Sequence, residues 1–301
     1  MRNQFCQALV DRSANPDMIF LTGDLGFMAL EPLRQALGER FVNAGVAEQN
    51  MVSVAAALAR QGFEVWAYSI APFCYARAFE QIRNDVSFHG LPVNLIGNGG
   101  GYGYGVMGPT HHAIEDYGVL SSFDEIDIFV PVFDEDVPAV VAAAAASNRP
   151  TYVRLGRGEA AADSVVPEYA AWRRLTDGDG PIVVAFGPLA GGYAAAFREL
   201  PAARRPQLWA AARLSIDRSP PPAALVERLA NDGRLYIGEE HVAHGGFGEQ
   251  LTAYLIYRGV SLRDVRSLHA LKHVFETYGS QRFLRARSRI DARAMLDLLE
   301  V

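Results

Sequence analysis

Three observations predict an α/β protein of two domains, each a mostly parallel sheet flanked by helices. The first is size, since 301 residues amount to two domains at about 150 residues each. The second is composition: half the residues are apolar and 21% are charged, enough to build proper cores and too apolar for a disordered chain. The third is order along the chain. Short β-rich runs alternate with helical patterns, as strands laid parallel under crossover helices must.

In the first half the apolar runs predict strands at Met18–Thr22, Phe41–Ala44, Val65–Ile70, Pro92–Gly97, Ile126–Val132 and Thr151–Leu155. Between them Glu48–Arg60 is helical, because Met51, Val52, Ala55, Leu58 and Ala59 fall on one face and Gly62 can end it. Arg77–Phe88 and Val137–Ser147 follow the same period, and the second, nearly all Val and Ala, is expected to be buried. The pattern lapses around Gly158–Asp179, which sets a first domain over 1–160, a linker over 161–178 and a second domain over 179–301. There strands are expected at Ile182–Phe186, Leu208–Ala212 and Arg234–Ile237, with helices near Leu189–Leu200, Pro221–Ala230, Phe247–Arg258 and Ala292–Leu299.

Charge and composition exclude several functions. A net charge of −6 without basic clusters speaks against a nucleic-acid surface. No apolar run reaches the ~18 residues of a membrane span, and Met1-Arg2-Asn3-Gln4 opens no signal peptide. Two cysteines, Cys6 and Cys74, are too few for a disulfide framework or a structural zinc site. The expectation is a soluble, cytoplasmic protein.

Short motifs need their context. Gly103, Gly105 and Gly108 spell GxGxxG, but Pro109 follows where a dinucleotide site needs a helix N-terminus. Gly178-Asp179-Gly180 precedes a strand and has no Asn about thirty residues on, so it reads as a turn. His111, His112, Glu115 and Asp116, like His241 and His244, lack the spacing that closes a zinc site, and no metal ligand is assigned. Gly97–Gly108 carries seven glycines in twelve residues, a density that serves positive φ angles or close approach of backbone to a ligand. Glu48 stands just past a strand end, in the first turn of an apolar helix, where open parallel sheets gather ligands. Helix-dipole complementarity would equally place a carboxylate there.

The motifs in sequence say more than any one of them. Ala44-Gly45-Val46-Ala47-Glu48-Gln49-Asn50 is followed by Pro72-Phe73 and Arg77-Ala78-Phe79-Glu80-Gln81-Ile82-Arg83. Gly108-Pro109-Thr110-His111-His112, Arg154-Leu155-Gly156-Arg157-Gly158, and Gly238-Glu239-Glu240-His241 with Gly245-Gly246-Phe247-Gly248 complete the series. Over essentially the whole chain this resembles the C-terminal half of transketolase and its relatives, including 1-deoxyxylulose-5-phosphate synthase. The resemblance implies a pyrimidine-binding domain followed by a transketolase C-terminal domain, and a transferase that moves a two-carbon ketol unit between sugar-like substrates.

It also implies thiamine diphosphate with Mg2+, a cofactor that stabilises acyl carbanion equivalents through its ylid. Glu48 would be the carboxyl hydrogen-bonded to the pyrimidine nitrogen, a role that favours the imino form of the exocyclic amine and needs apolar walls. Phe73 matches the aromatic that packs on the pyrimidine, with Ile70 on the neighbouring wall. His111 matches the histidine that reaches the reacting carbon as donor or proton shuttle. Arg157 lies where the family places an arginine for the substrate's distal phosphate, and Arg154 and Arg77 are substrate candidates that structural ion pairs would explain equally well. Met107 stands where transketolases usually carry an Asp for a donor hydroxyl, and Gly99 where they carry a phosphate-gripping His, which implies an altered sugar-like substrate. No segment supplies the GDG…N motif for diphosphate and metal. The implied partner is an N-terminal subunit that carries it, holding metal and diphosphate, in a heterotetramer of two each. The beta subunit of a 2-oxo-acid dehydrogenase's decarboxylating component and a non-catalytic subunit of the same fold are the alternatives.

Overall fold

The computed structural model describes residues 1–26, 29–159, 165–271, 273 and 278–300. Strands β1 (Met18–Thr22), β2 (Phe41–Asn43), β3 (Glu64–Ile70), β4 (Val93–Asn98), β5 (Asp127–Phe129) and β6 (Thr151–Leu155) form a six-stranded sheet in the order β2-β1-β3-β4-β6-β5. Every pair in it is parallel. Helices α1 (Arg2–Asp11), α2 (Glu31–Leu37), α3 (Glu48–Arg60), α4 (Phe79–Gln81), α5 (Asp116–Leu120) and α6 (Val137–Ala145) accompany it. The central strands are apolar on both faces because both are covered: β4 is buried along its whole length, and β3 over five of its seven residues.

In the second half β7 (Trp172–Thr176), β8 (Ile182–Phe186), β9 (Gln207–Ala211), β10 (Arg234–Gly238) and β11 (Asp264–Leu268) order as β11-β10-β8-β9-β7. Only the edge strand β7 runs antiparallel, against β9. Helices α7 (Leu189–Arg198), α8 (Ala223–Asp232), α9 (Phe247–Tyr257), α10 (Gln281–Arg287) and α11 (Ala292–Leu299) complete it. The fold is the α/β arrangement of two mostly parallel sheets that the alternation predicts. No helix among the described residues is long and apolar enough to cross a membrane.

Helices α1, α2, α5 and α10 have no counterpart among the expected elements, and four further departures have a local cause. β7 lies inside the span 161–178 expected as linker, of which residues 161–164 fall outside the described residues. Two arginines mask this strand in the sequence: Arg174 faces solvent, while Arg173 is buried as a bidentate partner of Asp136 at 2.8 and 2.6 Å. β11 is a polar edge strand whose middle three residues are exposed, so it shows no apolar run. The helix expected over Arg77–Phe88 begins earlier, winding through π turns at Phe73–Arg77 and Ile82–Ser87 on either side of α4. Last, α6 buries Val137, Val140, Val141 and Ala144 but exposes alanines on its other face.

The sheets are knit together across the chain. A single apolar cluster runs from Leu21 and Met51 through Tyr117 to Phe186 and Phe247. Backbone bonds Val130 N to Ala212 O (2.8 Å) and Leu214 N to Ile128 O (3.0 Å) join β5's end to the strand end after β9. Asp127 takes Arg213 at 2.7 Å and Arg218 at 2.8 Å beside them.

Candidate active site

The first sheet's strands β1 to β4 end on one edge, and three chain segments meet there. After β2, Gly45 turns at φ +74°, its N–H donating to Asn43 Oδ1 at 2.9 Å, and delivers Glu48 into the first turn of α3. The Glu48 side chain is 3% exposed. Ser69, from β3, donates to its Oε1 at 3.3 Å, and Arg77 Nη1 donates to its Oε2 at 2.6 Å.

The second segment follows β3. Ile70, partly exposed, ends that strand in register with Asn98 of β4. Phe73 opens the π turn and Arg77 closes it, and Arg77 reaches back to Glu48. The Arg77 guanidinium lies over the Phe73 ring, 4.4 Å from its centroid, while its own side chain stays 40% exposed. A planar cation therefore satisfies a buried carboxylate and an aromatic face at once.

The third segment is the glycine run after β4. Gly99, Gly101 and Gly108 take φ of +76°, +63° and +82°, conformations that exclude most side chains. The run is pinned from behind. Gly101 and Ala113 exchange backbone bonds of 2.8 and 2.9 Å, and Tyr102 N donates to Glu240 Oε1 at 3.0 Å. It ends in the Pro109–His111 3₁₀ turn, and no α-helix starts directly after Gly108 to receive a dinucleotide. His111 presents its ring edge to Phe73 at 5.2 Å and to Tyr104 at 6.3 Å, and its Nδ1 is 2.9 Å from Thr110 Oγ1. Behind it His112 is 3% exposed, and burial holds its pKa below the ordinary histidine value.

The predicted residues divide accordingly. Glu48, Phe73, Arg77 and His111 form one chain of contacts, with Ile70 at the adjoining strand end. Met107 is 54% exposed on the same glycine run, at the end of the Gly105–Met107 turn. Arg154 does not come to this surface. It is buried beneath the glycines, paired with Asp116 at 3.4 Å and donating to Ala113 O and Glu240 O at 3.1 and 2.8 Å. A methyl on Gly100 or Gly101 would collide with it, so the guanidinium packs against the underside of the run, away from the Glu48–Arg77–Phe73–His111 contacts.

Arg157 lies farther out, exposed, on a cavity of about 270 Å³ that Arg2, Asn98, Gly99 and Tyr104 also line. Among the described residues neither the Arg2 nor the Arg157 side chain has a hydrogen bond or ion pair. The Asp134 carboxylate on the same wall is already taken by the terminal ammonium at 2.9 Å and by Gly158 N at 3.3 Å. Arg2, Tyr104, Asn98 and Ser69 are absent from the sequence-based candidates. Helix α1, which carries Arg2, is not among the expected helices, although Phe5, Cys6, Ala8 and Leu9 form its buried face.

The model of the "Transketolase, pyrimidine binding domain" matches residues 8–162. An apulose-4-phosphate transketolase subunit of Phocaeicola vulgatus is 28% identical over 92% of this chain and 92% of its own length. The 1-deoxy-D-xylulose-5-phosphate synthase of Clostridium perfringens is 27% identical over 75% of this chain, which spans 37% of that enzyme. A solved structure described as "Split gene transketolase, inactive beta4 tetramer" superposes with a TM-score of 0.82 at 27% identity, covering 99% of this chain and 96% of that one.

Proposed function

The chain belongs to the transketolase family, carrying its pyrimidine-binding domain and the organisation of the C-terminal subunit of a split transketolase-like enzyme, and from that premise we propose how its residues work. The family is one of thiamine-dependent enzymes. We propose that Glu48 and Phe73 form the pyrimidine half of a thiamine diphosphate site. The Arg77 guanidinium supports this fit: it shows that one planar group can hydrogen-bond to the Glu48 carboxyl and lie over the Phe73 ring at once, the two places an aminopyrimidine would occupy. Arg77 then has to cede both, and its partly exposed side chain leaves it room to do so.

When bound, the cofactor supplies an electron sink for acyl carbanion equivalents. Glu48 would hydrogen-bond to the pyrimidine nitrogen through one carboxyl oxygen, with Ser69 holding the other. His111, oriented by Thr110 and the edge of Phe73, donates to oxygen at the reacting carbon. Arg157, joined by Arg2, takes the anionic end of the substrate. Ile70 closes the apolar wall, and Met107 offers no acceptor to a donor hydroxyl, which favours an altered sugar over ordinary pentose phosphates. The relative named for apulose 4-phosphate makes that sugar phosphate the first substrate to try.

We further propose a partner subunit carrying GDG…N that holds Mg2+ and diphosphate, in a heterotetramer of two each, with ketol transfer as the reaction. The second domain begins at β7 in this reading. Cys6 and Cys74, both buried and unbridged, support a reducing, cytoplasmic setting.

The observation that carries the proposal is the contact chain Glu48–Arg77–Phe73–His111 at one sheet edge. Its test is reconstitution with the partner subunit, assaying ketol transfer beside oxidative decarboxylation of 2-oxo acids. Transfer activity that needs both subunits and thiamine diphosphate is expected. Tight metal-dependent cofactor binding by this chain alone would overturn the split-site reading, and decarboxylation without transfer would move the chain to the dehydrogenase reading.

A further inference from the structure

We propose that Tyr104 determines specificity for the substrate's anionic end, its hydroxyl donating to a phosphoryl group held at Arg157 and Arg2. The proposal rests on the thiamine-site reading above and adds a residue to it. Tyr104 has a seat built for it. A methyl on Gly99 would lie 2.2 Å from two carbons on one edge of the Tyr104 ring, and Gly99 sits at φ +76°, so glycine is favoured there on two counts. A methyl on Gly103 would lie 2.8 Å from the Gly99 backbone, which closes the turn tightly over that seat. Two glycines of the run are thus explained by the placing of one aromatic ring.

The seated ring has two working sides. One edge faces His111, 6.3 Å between centroids, on the side of the reacting carbon. Its other side lines the cavity of about 270 Å³ with Arg2 and Arg157. The hydroxyl oxygen accepts from Asn98 Nδ2 at 2.6 Å, which fixes the phenol and leaves its O–H to donate. The side chain is half-buried and lines the cavity, so the free O–H can turn toward a group bound there. Two arginines without ion pairs among the described residues and one directed phenolic donor match a dianionic phosphoryl group better than a neutral hydroxyl. Standing between the histidine and the arginines, the ring also sets how much carbon chain separates reacting carbon from anion.

The test is steady-state kinetics of the reconstituted complex with an aldose phosphate and the same aldose unphosphorylated, plus inorganic phosphate titrated into the full chain. Tyr104→Phe keeps the ring and removes the donor. It should raise KM for the phosphorylated acceptor about tenfold, leave kcat and the unphosphorylated KM within about twofold, and weaken phosphate binding by a similar factor. Gly99→Ala, which must evict the ring, should reproduce the same selective KM rise, and thermal melts of both variants monitor folding. Equal KM changes for both acceptors, or no change, would overturn the proposal. Arg157→Ala separates the two readings. If it raises the phosphorylated KM while Tyr104→Phe does not, Tyr104 is passive and the site reading stands. If neither does, the anion site itself is wrong and the proposal falls with it.

Discussion

Two Arg–Glu pairs in this molecule are chemically alike and differently built. At the sheet edge Arg77 meets Glu48 at 2.6 Å through one nitrogen, with the arginine 40% exposed. Beneath the glycine run Glu240 is 4% exposed and receives Arg285 at 2.7 and 3.1 Å, Gln281 at 3.1 Å and the Tyr102 N–H at 3.0 Å. Arg285 also reaches Glu159. The second pair is saturated on every side and cannot move without stranding a buried charge. The first rests on one bond from a half-exposed arginine, with Ser69 as the carboxyl's other partner. Under the proposed reading the contrast is one of scaffold against site, and it can be tested from both ends.

The largest expected effect is on catalysis at the exposed pair. Glu48→Gln should cost the reconstituted enzyme about 10²–10⁴-fold in kcat with the melting curve nearly unchanged. Unaltered activity would favour a non-catalytic role. At the scaffold pair the effect should fall on stability instead. Arg285→Met leaves Glu240 buried without its main partner and should cost about 3–5 kcal/mol in denaturant unfolding; a loss below about 1 kcal/mol would erase the distinction between the pairs.

A pH experiment sharpens the same contrast. Burial alone would raise the Glu240 pKa, but Arg285 and then Arg154 hold it below the ordinary value of 4.5. A depressed carboxyl stabilises the fold fully above 4.5, and that stabilisation is lost as pH falls through the lower folded value. Wild-type stability should therefore drop in that acid window. Glu240→Gln, weaker at neutral pH, should flatten the drop.

Smaller still is the change at Arg77. As a half-exposed partner it should contribute within about 1 kcal/mol to stability, so Arg77→Gln should melt near wild type. If it melts as low as Arg285→Met, the two pairs are not different in kind. The least effect is chemical: burial pushes the Cys74 thiol up to about 12, so alkylation near pH ~8 should label it only after unfolding.

Most of the fold was legible. Met18–Thr22, Glu48–Arg60, Thr151–Leu155, Ile182–Phe186 and Ala292–Leu299 appear with the bounds expected, because their apolar period is local and strong. β7 and β11 were not, since an arginine pair and a solvent-facing edge carry no such period. Of the site, residue types and order were readable: a carboxyl in a first helical turn, an aromatic past a strand end, a histidine closing a glycine run.

The sequence by itself determined which chemistry is present, because motif order and hydrophobic period are properties of neighbours along the chain. Only the tertiary structure decided which arginine does what. Arg154 and Arg157 stand three residues apart in the chain, yet one is buried against Asp116 from α5 and Glu240 from the loop after β10, while the other shares an open cavity with Arg2 from the first helix. Burial and pairing depend on partners far away along the chain, which a parallel sheet brings together through its crossovers and which no local pattern encodes.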